Sequence, residues 1–153
     1  MNENIEIKRF KELDLGDEFF SSLKTDYPNF ENWFILHPER KAYVLFDNTN
    51  KIKGFLHLKE ENRVVDDVRP KLYADKILKV ATLKVEAHGT KLGEQFMDII
   101  IDKATKENFD VCYATIFPKH EKLIELMKYF GFEEYGEKGD VSNPEKVYVK
   151  RMD

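Results

Sequence analysis

Residues Lys79–Glu94 read KVATLKVEAHGTKLGE, and the fold turns on how this stretch is divided. Its first part, from Ile77 to Val85, is rich in Val, Leu and Thr and is interrupted only by Lys79 and Lys84. That pattern predicts an inner strand buried on both faces. The loop His88-Gly89-Thr90-Lys91-Leu92-Gly93 follows at once, with Thr90 suited to cap a helix. Leu92, Phe96, Ile99, Ile100 and Ala104 then recur at helical spacing, which predicts a helix to about Glu107. A helix start aims free backbone N–H groups and a positive dipole end at one place, and two glycines let a ligand approach the backbone. This is a site for an anion, most naturally a phosphate or pyrophosphate. A tight strand-to-helix turn with no ligand is the alternative reading of the same loop.

Outward from this stretch, the upstream chain predicts a strand at Ile5–Phe10, an amphipathic helix over Leu13–Leu23 and a short helix through Phe30, Trp33, Phe34 and Leu36 that Pro38 ends. Lys41–Phe46 and Ile52–Leu58 read as a hairpin, since Asp47-Asn48-Thr49-Asn50-Lys51 between them favours a turn. Glu60–Asp75 is polar and reads as a loop. Downstream, Asp110–Phe117 is a β-rich apolar run, and Pro118 suits the start of a helix whose buried face is Leu123, Ile124, Leu126, Met127 and Phe130. Gly131 stops that helix, and Phe132–Tyr135 and Lys146–Lys150 close the chain as strands. The order β-α-α-β-β-β-α-β-α-β-β predicts an α/β (α+β) fold: a mixed, mostly antiparallel sheet of about seven strands with about four helices on its faces, in a single domain over residues 1–153.

Composition narrows the function classes. At 42% apolar and 35% charged residues the chain reads as globular rather than disordered. A net charge of -4 with no dense basic run argues against nucleic acid, whose binding rests on phosphate neutralisation. The one cysteine, Cys112, cannot form an internal disulfide, and no signal-type or membrane-spanning apolar run is present, so the expected compartment is the cytoplasm.

The element order, with the phosphate-type loop after the fourth strand, resembles the GNAT superfamily of N-acetyltransferases. Leu83-Lys84-Val85, the loop HGTKLGE at 88–94, the strand DVCYATIF and the helix ending KYFGF at 128–132 carry the resemblance. Gly89 and Gly93 fit the family's Arg-Gly-x-Gly-x-Gly loop, with His88 at the Arg and Lys91 at the middle Gly. The resemblance implies acetyl-CoA as co-substrate and no metal. It places the pyrophosphate on His88, Gly89, Thr90, Lys91, Leu92, Gly93 and Glu94, and sets the pantetheine and thioester carbonyl against the backbone of Leu83, Lys84 and Val85. The implied activity is direct transfer of the acetyl group to a primary amine of unknown identity. A non-catalytic acyl-CoA-binding regulatory module of the same fold is the alternative, and a homodimer is one open oligomeric state.

The acid/base residues depart from the family. The strand carries no Glu between Lys76 and Val85, and the usual Tyr four residues before Gly131 is Met127. The candidates are Glu86, just past the strand, which also reads as a solvated loop carboxylate, and His120, at the family's Asn position, which can contact pantetheine, donate a proton or stand exposed in a first turn. With Leu123 and Met127, His120 falls on one helix face expected to turn towards the cofactor. His57 reads as a sheet-surface residue. Cys112, Met97 and Met127 read as core. The acidic run Glu60, Glu61, Asp66 and Asp67 can attract a cationic acceptor or be a solvated surface.

Overall fold

The computed structural model describes residues 5–86 and 90–152. In chain order the strands and helices are β1 (Ile5–Arg9), α1 (Ser21–Asp26), α2 (Phe30–Leu36), β2 (Lys41–Phe46), β3 (Ile52–Val65), β4 (Val68–Arg69), β5 (Leu72–Val85), α3 (Thr90–Lys106), β6 (Val111–Ile116), α4 (Glu121–Tyr129), β7 (Glu133–Lys138) and β8 (Glu145–Arg151). The eight strands form a mixed sheet in the order β1-β2-β3-β5-β6-β8-β7-β4. The β5–β6 pair is parallel, and β1–β2, β2–β3, β4–β7, β6–β8 and β7–β8 are antiparallel. A parallel pair needs a crossover, which α3 supplies. The strand beyond the expected seven is the two-residue β4. Contacts divide the described chain into two compact units: residues 5–57 with 82–86, and residues 58–81 with 90–152.

The first unit is built on rings. Phe10, Phe19, Phe20, Phe30, Phe34 and Phe55 are all buried, and Phe10 stacks on Phe34 with ring centroids 4.3 Å apart. The helix expected over Leu13–Leu23 is shorter, because Asp17 ends the irregular segment before it. Its Oδ1 accepts from the Phe19 N–H (3.0 Å) and its Oδ2 from the Ile52 N–H (3.1 Å), which fixes a 3₁₀ turn at Glu18–Phe20 and delays α1 to Ser21. The predicted hairpin turn forms as its residues suggest: Asp47 Oδ1 accepts from the N–H groups of Thr49 (2.8 Å) and Lys51 (3.0 Å), and Asn50 takes a φ of 63°. His57 is not on the sheet surface as expected. Only 5% of it is exposed, its Nδ1 lies 3.0 Å from the Lys41 carbonyl oxygen, and its ring packs edge-on against Phe10 at 5.1 Å. Strand alternation placed it correctly opposite Leu56, but Phe10 and Trp33 cover that face too.

In the second unit Glu60–Asp75 is not a loop. β3 runs on to Val65, β5 begins at Leu72, and β4 pairs with β7 at Val68↔Lys138 and Arg69↔Glu137. The cause is a sparse apolar series: Val65, Val68 and Leu72 are buried with Ile77, Val111, Tyr113, Val147 and Val149. Gly136 permits this closure, since a Cβ there would overlap the Arg69 carbonyl. On α3, Phe96, Met97, Ile100 and Ala104 are buried. Pro118 lies in a turn closed by the His120 N–H on the Phe117 carbonyl rather than opening the helix, which begins at Glu121. The stop at Gly131 forms as predicted: with φ 93°, its N–H donates to the Lys128 carbonyl (3.0 Å) and the Phe132 N–H to that of Met127 (3.0 Å), the two bonds of a Schellman motif.

Candidate functional site

The residues singled out by sequence fall on three local structures. The first is the end of β5. Leu83, Lys84 and Val85 are half-buried, and the Glu86 N–H donates to the Lys53 carbonyl (2.8 Å). Lys84 is tied down by three groups: its Nζ donates to the Phe19 carbonyl (2.5 Å), pairs with Glu86 Oε1 (3.3 Å) and lies over the Phe19 ring at 4.6 Å from its centroid. The ammonium is therefore engaged in holding β5 against the aromatic core. Glu86 is exposed, as a solvated carboxylate would be, and pairs with the Lys84 charge.

The second is the start of α3. His88 and Gly89 lie outside the described residues. The helix begins at Thr90, so Thr90, Lys91, Leu92 and Gly93, expected in the loop with Thr90 as its cap, form the first turn of α3, which carries no acidic side chain. Lys91 is exposed, Leu92 and Glu94 are half-buried, and Gly93 is buried. Gly93 has a packing role: a Cβ there would stand 2.8 Å from Leu126 Cδ2 of α4, so its missing side chain lets the two helices meet. Among the described residues no acidic side chain of that first turn opposes the positive end of the 17-residue helix dipole.

The third is the start of α4. His120 is the N-cap residue, half-exposed, with its N–H donating to the Phe117 carbonyl (3.0 Å) and its carbonyl accepting from the Ile124 N–H (3.1 Å). Met127, expected to share a cofactor-facing surface with it, is 0% exposed. Its thioether is core, and no proton donor stands at that position. Cys112 is also buried, and burial pushes its thiol up to about 12, which removes it as a nucleophile at neutral pH.

Sequence reasoning missed a polar cluster in the second unit. Tyr113 of β6 is 1% exposed, yet its hydroxyl donates to Glu61 Oε2 of β3 at 2.7 Å. Lys79 of β5 is the register partner of Tyr113, and its Nζ lies 6.0 Å from the centroid of that ring. Burial first, then the Lys138 charge, holds Lys79 below the ordinary lysine range, with Glu61 and Asp67 opposing. Burial, and next the bond to Glu61, raises the Tyr113 phenol far above its usual value. Lys138 pairs with Asp67 at 3.4 Å. Among the described residues Lys79 itself makes no hydrogen bond or ion pair. The period-two alternation of β5 was the available signal, since a lysine at an inward position of a buried strand is rarely without a reason.

No protein-family model and no curated protein sequence matches the chain. Solved structures do match along its length. Naa20 of Chaetomium thermophilum, in complex with a bisubstrate analogue, is 17% identical with a TM-score of 0.69, over 97% of this chain and 86% of that one. A GNAT-family acetyltransferase from Staphylococcus aureus Mu50 is 18% identical with a TM-score of 0.64, over 98% of this chain and 100% of that one. A chain of the NatC complex bound to Gag peptide and CoA is 19% identical with a TM-score of 0.60, over 98% and 99%. With its parallel β5–β6 pair beside α3 and antiparallel pairs to either side, this chain has the fold of the GNAT acetyltransferases.

Proposed function

We propose that the chain is a single-domain, cytoplasmic N-acetyltransferase that moves the acetyl group of acetyl-CoA to a primary amine. The observation that carries this reading is the full-length likeness to acetyltransferases, including one bound to CoA and one to a bisubstrate analogue. The assignment of residues continues the sequence reading. Backbone N–H groups of residues 88–94 hold the pyrophosphate, Lys91 adds a positive charge from the solvent side, and Leu83, Lys84 and Val85 offer backbone groups to the pantetheine and the thioester carbonyl. His120 contacts the cofactor from the start of α4. In the reaction a neutral amine nitrogen bonds to the acetyl carbon, the carbon–sulfur bond breaks with its electron pair on sulfur, and the proton lost by nitrogen reaches the thiolate or solvent. The CoA thiol, with a pKa of about 8.5 like free cysteine, can leave without a dedicated acid. Positioning supplies most of the acceleration.

A second reading, a CoA-binding module without turnover, is favoured by two findings: Met127 is sealed in the core and Glu86 is engaged by Lys84. One experiment separates them. Calorimetry should show acetyl-CoA binding by the parent and affinity about tenfold weaker in Lys91→Glu, the scale of one lost charge contact plus a repulsion. Thiol release with an added amine then marks the enzyme, and binding without release marks the module. Undiminished binding by folded Lys91→Glu would place the phosphates elsewhere.

A further inference from the structure

A partly buried ammonium with no hydrogen-bond acceptor is costly unless something completes it. Among the described residues the Lys79 ammonium has no such acceptor. It lies over one side of the Tyr113 ring, at 6.0 Å from the centroid, while the hydroxyl of that ring is fixed to Glu61 at 2.7 Å. The ring is 1% exposed and so forms a rigid spacer. The two opposite charges it separates do not pair with each other, although both belong to one compact unit. Nearby, Lys138 is already engaged by Asp67 at 3.4 Å. What remains is a cation over the Tyr113 ring and an anion at its hydroxyl, and a molecule that carries both charges would satisfy them together.

We propose that Lys79, Tyr113 and Glu61 form an acceptor subsite, and that the acceptor is a small zwitterion, a free amino acid, with its carboxylate on Lys79 and its ammonium on Glu61. This rests on the acetyltransferase reading above and names its substrate class. The alternative for Lys79 is a methylene stem packed on the ring with its head reaching for water. That alternative assigns no selectivity to the charge.

The experiment compares free amino acids with the matching amines that lack the carboxylate, as acceptors with saturating acetyl-CoA, read as kcat/KM. The parent should prefer the amino acid by about tenfold or more, the scale of one charge-assisted contact. Lys79→Met should erase that preference by lowering kcat/KM for the amino acid alone, and Lys79→Arg should keep it. Acetyl-CoA affinity, measured by calorimetry, should be unchanged in both variants. An equal loss on both acceptor types in Lys79→Met, or a preference that survives it, would overturn the subsite. A parent that binds acetyl-CoA but acetylates the amines and not the amino acids would overturn the substrate class while leaving the acetyltransferase reading intact. A parent that does not bind acetyl-CoA would remove that reading and the inference with it.

Discussion

Lys79 and Lys84 lie five positions apart on the same strand, both half-buried, and they live in opposite circumstances. Lys84, in the aromatic unit, has a carbonyl, a carboxylate and a ring. Lys79, in the other unit, has the Tyr113 ring and no hydrogen bond or ion pair among the described residues. The lesson is that burial of a charged residue does not by itself mark a site. A charge whose bonding is completed by the fold is part of the scaffold, and a charge left incomplete at similar depth is where a ligand is to be sought.

The largest effect that sharpens this contrast is on Lys84. Lys84→Met leaves the Phe19 carbonyl and the Glu86 carboxylate without their cation. Stability should fall by about 1–3 kcal/mol, the cost of orphaning the carbonyl of buried Phe19, since the exposed Glu86 carboxylate is taken up by water. For a chain of this size that is a melting temperature lower by roughly 2–4 °C for each kcal/mol. An unchanged melting temperature would show that Lys84 is as uncommitted as Lys79, and the contrast would collapse.

A smaller effect is expected at Tyr113. Tyr113→Phe keeps the ring that separates Lys79 from Glu61 and removes only the hydroxyl. The lost bond is to a partly exposed carboxylate that water can reach, so the cost should be about 0.5–1.5 kcal/mol by chemical denaturation. A loss of several kcal/mol would mean that Glu61 is sealed from water and serves the core rather than an acceptor.

These contrasts were only partly legible in the sequence. Local signals were read well: the Asp47–Lys51 turn, the short helix through Phe30 and Phe34 and the stop at Gly131 each depend on residues a few positions apart. The long arms of β3 and β5 were not, because Val65, Val68 and Leu72 are separated by charged residues that face water and so mimic a loop. Gly93 shows a subtler limit. It was read as part of a phosphate-type loop, but it lies inside α3, and its close approach to Leu126 depends on how two helices pack. The Glu61–Tyr113 bond joins residues 52 positions apart, and Lys79 meets Tyr113 only through the parallel register. No spacing rule reaches across such distances.

The smallest effect is at Lys79, and its sign is the sharpest form of the comparison. Lys79→Met removes a desolvated charge and no bond, so at neutral pH it should be neutral or slightly stabilising, where Lys84→Met destabilises. The pH dependence follows from linkage. Lys79 is held below its usual 10.5, chiefly by burial and then by Lys138, against the attraction of Glu61 and Asp67; Lys59 adds a further, weaker repulsion. In the alkaline window beneath 10.5 the folded chain gives up this proton before the unfolded chain does. The unfolded state then binds more protons, so this residue's contribution to stability rises with pH. The penalty for the buried charge is fully present below the window and is relieved as pH climbs through it. Denaturation of parent and Lys79→Met from neutral to alkaline pH should therefore show the variant's advantage shrinking as pH rises, all other titrating groups being common to both. A gap that stays constant would mean that the Lys79 ammonium is as well solvated as a surface lysine, with nothing there for a carboxylate to complete.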